Sequence, residues 1–387
     1  MAWGAVGQLG VRGATLEDIA IDVGMNLTSI RHYFRKKDDL VAAGFLRSID
    51  VHMARTELSK SAGSREARVR DFVRRYFEFR RRVRAGEEMD VMSFGDLRAL
   101  AEPHASQVWP RYVDLFRSVR EIVADPEERE QDRHRVNARA HLLISQLIRS
   151  VYWLPEYPDS ELDRVEARFT DVLLNGIAQP GTSLHGMVEL SEKAPPDKRS
   201  WESFLLAATR LINQQGYRGA SVERIARQMN VTKGSFYHHN DNKQDLISAC
   251  FDRTFGVVRR ALVLAEEATG SGWDRACAAA RVLVRYQLSE HGPLLRSSAT
   301  SALPDEAHRE RVRRTMIQMT ERMVCVLVDG MMDRSIRPVD PSITAQIAIG
   351  LINAAAELRR WVPGATRDNA VDLYARPMFL GLLCPPA

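Results

Sequence analysis

Apolar residues recur along most of this chain three and four positions apart, the spacing that builds one face of a helix. Val69, Phe72, Val73, Tyr76 and Phe77 mark one such face. Leu142, Leu143, Leu147, Val151 and Leu154 mark a second, and Ile343, Ile347, Leu351, Ala354 and Leu358 a third. Alternating strand-like runs are nearly absent, so the pattern predicts an all-α protein. Prolines at 103, 126, 155, 158, 293, 304, 341 and 363 fall between the periodic stretches, where a residue without a backbone N–H does least harm to a helix. The one shift in composition is the Gly-, Pro- and Ser-rich stretch over 176–200. It predicts a linker at about 179–199 between two helical domains, 1–178 and 200–387.

Each domain opens on the same motif. Gly13 to Leu40 aligns without a gap on Gly219 to Leu246, with about ten identical positions. In the second copy, Ser221 is placed to cap a short helix whose apolar face is Val222, Ile225, Ala226 and Met229; Thr15 holds the same position in the first copy. Asn230 and Gly24 stand at a tight turn that favours left-handed backbone, and Thr232 and Asn26 are placed to cap the next helix. Phe236 and Ile30 are the inward anchors of that helix.

Its outward residues are polar, small or amphipathic: Lys233, Gly234, Ser235, Tyr237, His238 and His239 in one copy, Leu27, Thr28, Ser29, Arg31, His32 and Tyr33 in the other. A short helix with an apolar back and a hydrogen-bonding front fits a DNA major groove. Small Gly234 and Ser235 let the backbone approach base edges. Tyr237 and His239 reach toward phosphates, and Lys243 and Lys37 start the following helix where they can contact the DNA backbone. An ordinary helical hairpin with a solvated face would share much of this pattern. Retention of both turn residues and both caps in two copies favours two helix-turn-helix units, at about 13–40 and 200–246.

These residues resemble the tetracycline-repressor (TetR) family of bacterial transcription regulators. The resemblance is carried by Ala220-Ser221-Val222-x-x-Ile225-Ala226, by Val231 to His239, and by Lys243-x-x-Leu246. In the first half it is carried by Ala14-Thr15-Leu16-x-x-Ile19-Ala20, Ile30 to Phe34, and Lys37-x-x-Leu40. It implies a ligand-responsive repressor bound to a double-stranded operator, with further helices in each half forming a ligand pocket and a dimer interface. Two departures stand out. The family's aromatic after the recognition helix is present as Phe34 but replaced by Asn240. The leading helix expected at Trp201 to Gln215, with Phe204, Ala207, Ala208, Leu211 and Ile212 inward, has only the two-glycine segment MAWGAVGQLGVR as its counterpart. Either the first reader is reduced or its start lies upstream.

Beyond the readers, Met316, Met319 and Met323 form a helical stripe, and Met89, Met92, Trp109 and Tyr112 a second apolar group. Both suit an adaptable pocket for a small apolar or amphipathic effector, though such groups are more often plain core. Arg74, Arg75, Arg80, Arg81, Arg82 and Arg84 read as a solvated helix face rather than an anion site. The helix pairs at about 135–153 with 160–177 and 341–361 with 367–383 are placed as the family's dimerisation pairs. They predict either an intramolecular pseudo-dimer with an asymmetric operator or a homodimer of tandem chains.

Net charge is +5 and the pI about 9.1, compatible with nucleic acid but too weak to argue for it. Cys250, Cys277, Cys325 and Cys384 lack metal spacing, His104, His134, His141 and His291 are scattered, and no membrane span or signal peptide is apparent. The expectation is a cytoplasmic protein with no cofactor, no metal and no membrane partner. No nucleophile elbow, phosphate loop or HExxH argues for an enzyme. The competing reading is a TetR-like sensor or scaffold whose first helix-turn-helix no longer binds DNA and only completes a pseudo-dimer.

Overall fold

The computed structural model describes residues 14–22, 24–180, 182, 201–220, 222–229, 243–267, 269–303 and 305–385. Every element of these residues is helical apart from one isolated bridge between Ala178 and Ile336. The first half comprises α1 (Leu16–Asp22), α2 (Leu27–Tyr33), α3 (Lys37–Ser59), α4 (Arg65–Arg84), α5 (His104–Val123), α6 (Pro126–Gln131), α7 (Arg133–Ser150) and α8 (Leu162–Asn175). The second comprises α9 (Trp201–Gly219), α10 (Val222–Met229), α11 (Lys243–Glu267), α12 (Gly272–Leu288), α13 (Glu306–Met332), α14 (Pro341–Ala355), α15 (Leu358–Trp361) and α16 (Arg376–Leu380). Among the described residues no helix is long and apolar enough to cross a membrane.

The periodic faces are the buried ones. Val69, Phe72, Val73, Tyr76 and Phe77 on α4, Leu142, Leu143 and Leu147 on α7, and Ile343, Ile347 and Leu351 on α14 all lie in one continuous apolar core. Pro126 and Pro341 stand in the first turn of α6 and α14, where the helix needs no N–H. The expected last helix over 367–383 is broken. A π-helical turn covers Val371–Ala375, α16 follows, and Gly381 ends it at φ +99°.

That continuous core runs from Ala14 to Leu382 and draws on both halves. Helix α7 lies against α14, and α8 against α14 and α16. Buried amides fasten the junction: Gln146 Nε2 donates to the Ile347 carbonyl at 2.9 Å and Asn137 Nδ2 to that of Trp361 at 2.7 Å. The chain also crosses itself where α8 and α16 end. Ile177 and Ala178 N–H groups donate to the Phe379 carbonyl at 2.9 and 3.0 Å, and the Leu382 N–H donates to the Leu173 carbonyl at 2.7 Å. A smaller core stands apart under α9, α10 and α11, built from Phe204, Leu205, Ala208, Leu211, Ile225 and Phe251 with neighbours. Thus α9 supplies the second helix-turn-helix with its own apolar support, whereas Ala14 and Ile19 of the first belong to the main core.

Candidate DNA-reading surface and inter-half cavity

The first helix-turn-helix motif is held by local chemistry. Thr15 Oγ1 accepts from the Asp18 N–H at 3.1 Å while Asp18 Oδ2 accepts from the Thr15 N–H at 2.8 Å, so both ends of the first turn of α1 are satisfied. Gly24 takes φ +66° at the turn, a conformation that costs glycine little. Asn26 then caps α2, its Oδ1 accepting from the Ser29 N–H at 2.7 Å. Ile30 is buried as the inward anchor.

Opposite it, Thr28, Arg31, His32 and Tyr33 are exposed and Leu27 and Ser29 half-buried. Tyr33 is 73% exposed, and its ring meets that of His32 edge-on at 5.2 Å. Phe34 ends the helix half-buried, its N–H donating to the Ile30 carbonyl at 2.8 Å. Lys37 opens α3 half-buried, and Thr15 is exposed beside the turn.

In the second copy of the motif, Phe204, Ala208, Leu211 and Ile212 of α9 and Ile225 and Ala226 of α10 are buried, as their spacing predicts. Ser221, Thr232, Lys233, Gly234, Ser235, Tyr237, His238 and His239 lie outside the described residues. Lys243 is described only in its backbone, at the start of α11.

Helix α9 is also tied to the segment after α12. Asn213 Nδ2 donates to the Leu294 carbonyl at 2.8 Å, Asn213 Oδ1 accepts from the Arg296 N–H at 3.1 Å, and Arg210 Nε donates to the Gly292 carbonyl at 2.9 Å. Leu294, Leu295 and Ser297 of that segment line a cavity of about 830 Å³. Its walls come from both halves, with His52, Tyr76, Met92 and Phe94 from the first and Phe255, Met316, Met319 and Met323 from the second. Of the candidate pocket residues, Met92, Met316, Met319 and Met323 are therefore at the cavity. Met89, Trp109 and Tyr112 are not. Met89 is 58% exposed. Trp109 lies under the Arg360 guanidinium at 3.7 Å, and Tyr112 packs edge-on against Trp361 at 5.6 Å. Both rings are taken up by the aromatic cluster at the junction of the halves.

Arg149 lines the same cavity and stands out in no sequence pattern, because an arginine in the last turn of a helix is what the helix dipole ordinarily favours. Burial lowers its pKa to about 10, so it remains charged at neutral pH. The arginine-rich face of α4 is consumed by ion pairs: Arg75 with Asp71, Arg80 with Asp90, Arg81 with Asp163 and Glu166, and Arg84 with Asp159. Among the described residues no group of His, Cys, Asp and Glu could hold a metal ion, and the cysteines are free thiols.

Two histidines, His141 buried and His52 half-buried at the cavity, give a pH prediction. Burial first, then the nearby Arg55 and Arg80, lowers His52 to about 4. Burial likewise lowers His141, whose Nδ1 meets the Tyr374 hydroxyl at 2.7 Å, to about 4. The unfolded chain titrates near 6.5 and so binds more protons than the folded one between those values. Stability is expected to fall as pH drops from about 6.5 toward 4. Urea melts at several pH values should show this, with His52→Phe flattening the slope; an unchanged slope would remove His52 from the account.

Residues 204–250 match the family model of bacterial regulatory proteins, tetR family. The transposon Tn10 TetC protein of Escherichia coli is 33% identical over 77 residues, a match that takes in 20% of this chain and 39% of TetC, so the chain spans about two fifths of the curated relative it matches. Solved structures that resemble it include the TetR-family transcriptional regulator PfmR of Thermus thermophilus, at 18% identity and TM-score 0.39 over 46% of this chain and 98% of that one. Another is AibR in complex with isovaleryl coenzyme A and operator DNA, at 21% identity and TM-score 0.37 over 48% of this chain and 98% of that one.

Proposed function

We propose that this TetR-family chain is a DNA-binding transcriptional regulator, a ligand-responsive repressor that carries two unlike readers and folds as its own pseudo-dimer. The observation that carries the reading is the junction at which α7 and α8 of one half share a core, buried amide bonds and backbone bonds with α14 and α16 of the other. In a symmetric dimer the same surface is used twice and the operator is a palindrome. Here the groove-facing residues differ, Leu27, Thr28, Ser29 and Arg31 in one reader against Lys233, Gly234, Ser235 and Tyr237 in the other. The proposed operator is therefore asymmetric, with unlike half-sites one or more helical turns apart. Ligand response is supported by the cavity, whose wall at 294–297 is hydrogen-bonded to α9, the leading helix of the second reader.

The experiment is a binding-site selection followed by gel shifts with Lys37→Glu and Lys243→Glu, each made alone. Selection should return unlike half-sites, and each charge reversal should weaken binding by roughly tenfold or more at fixed salt, with a shallower salt slope. A perfect palindrome would count against the fused pair. Loss only with Lys243→Glu would leave one reader and a first half that merely completes the pseudo-dimer.

A further inference from the structure

We infer that the cavity between the halves is one site, filled once per chain, for an amphipathic carboxylate whose head group is held by Arg149. This deepens the ligand-responsive reading above and rests on it for its regulatory meaning.

Arg149 carries a charge that its surroundings leave unbalanced. A guanidinium presents five N–H donors, and taking it out of water without an anion is costly. Three other inward-placed arginines hold a carboxylate: Arg98 that of Glu357, Arg139 that of Glu128, and Arg253 that of Glu202, while the half-buried Arg210 is satisfied by the Gly292 and Glu290 carbonyls. Among the described residues Arg149 has no carboxylate within ion-pair distance. Its hydrogen bond is from Nη1 to Ser297 Oγ at 2.8 Å, across the junction of the halves, and its buried Nε has no acceptor. The acids at the cavity do not fill the gap, because Asp90 is held by Arg80 at 2.6 Å and Glu156 and Glu321 are exposed. Arg313, the other cation of the lining, is exposed and paired with Glu310.

The walls define the rest of the ligand. Met92, Phe255, Met319 and Met323 offer soft apolar surface, and methionine adapts to the shape of a flexible tail. A volume of about 830 Å³ is within the range of sites that enclose a small organic molecule. One guanidinium balances one negative charge, and His52 is neutral at pH 7, so the site suits a carboxylate rather than a phosphate dianion. Because both halves build the same cavity, occupancy is one ligand per chain, where independent pockets would take two.

The test uses the full chain and three matched probes below their micelle concentrations: decanoate, 1-decanol and decyltrimethylammonium. Calorimetry should give one decanoate per chain, bound more tightly than the alcohol and far more tightly than the cation. Arg149→Met should weaken decanoate by roughly 30-fold and leave 1-decanol unchanged, while its circular dichroism and urea midpoint report that it still folds. Decanoate binding no tighter than the alcohol, equal binding to Arg149→Met, or two equivalents per chain would each overturn the proposal. Gel shifts without any probe are run in parallel: absent DNA binding with intact decanoate binding would sink the regulatory reading alone, and the reverse would sink this site alone.

Discussion

Gly381→Ala is expected to lower the folding stability of the whole chain by about 3–5 kcal/mol, although no functional group is lost. Two costs add. Gly381 sits at φ +99°, ψ 146°, a region that residues with a Cβ avoid at about 1–3 kcal/mol. A Cβ there would also stand 2.1 Å from the Leu174 carbonyl oxygen, a backbone atom at the end of α8 that cannot rotate aside. Relieving such overpacking costs about another 1–3 kcal/mol. The neighbouring crossing is reciprocal: Gly176, at φ +63° and ψ −156°, would place a Cβ 2.3 Å from the Phe379 oxygen. The substitution therefore pries apart the two helix ends that join the halves, weakening the Leu382–Leu173 backbone bond with them. Urea unfolding measures the effect, and Gly63→Ala is the control, since a Cβ there meets nothing within 4 Å. Equal midpoints for Gly381→Ala and the wild type would show that the halves are not held at this crossing.

What is legible in the chain follows the range of the forces involved. Caps, turns and one-sided apolar faces are local, so the Thr15 cap, Gly24, Asn26 and Ile30 can be read from spacing alone and stand where spacing puts them. The cavity is not local. His52, Arg149, Phe255 and Met319 meet only once both halves are packed, and no periodicity brings positions so far apart to one point. The same limit separates Met89 from Met92: three residues apart and alike in chemistry, one is 58% exposed and the other 4%. Trp109 and Tyr112 suit a pocket by their chemistry, yet Trp361 and Arg360, from the far end of the chain, occupy their faces. The break in the last helix also has a distant partner, because Tyr374 in the π-helical turn reaches His141 on α7.

Glu357→Gln is the second large effect expected, about 3 kcal/mol of stability together with a loosened α9. Glu357 lies just before α15 and bridges Arg98 of the first half, at 2.5 Å, and Arg296 of the second. Burial alone would push its carboxyl up; the Arg296 and Arg98 guanidiniums more than offset this and hold it below the usual range. Removing one partner from a buried ionic cluster leaves the rest uncompensated, at about 3–5 kcal/mol. The lower end applies here because these side chains are 15–24% exposed. The sign with pH follows from the lowered carboxyl: its contribution is full above the unfolded value of 4.5 and vanishes as pH falls through the folded one, so wild type and variant should converge in acid. Replacing Glu357 with Leu and both arginines with Met should recover most of the loss, since an apolar cluster needs no counter-charge. The consequence reaches α9. Arg98 belongs to the 94–99 turn that touches α9, and the Arg296 N–H is bonded to Asn213 on α9. With Glu357 neutral, both struts of α9 loosen. Hydrogen exchange should then rise along α9 while α1 and α2 stay as they were, and protection unchanged along α9 would confine Glu357 to stability alone.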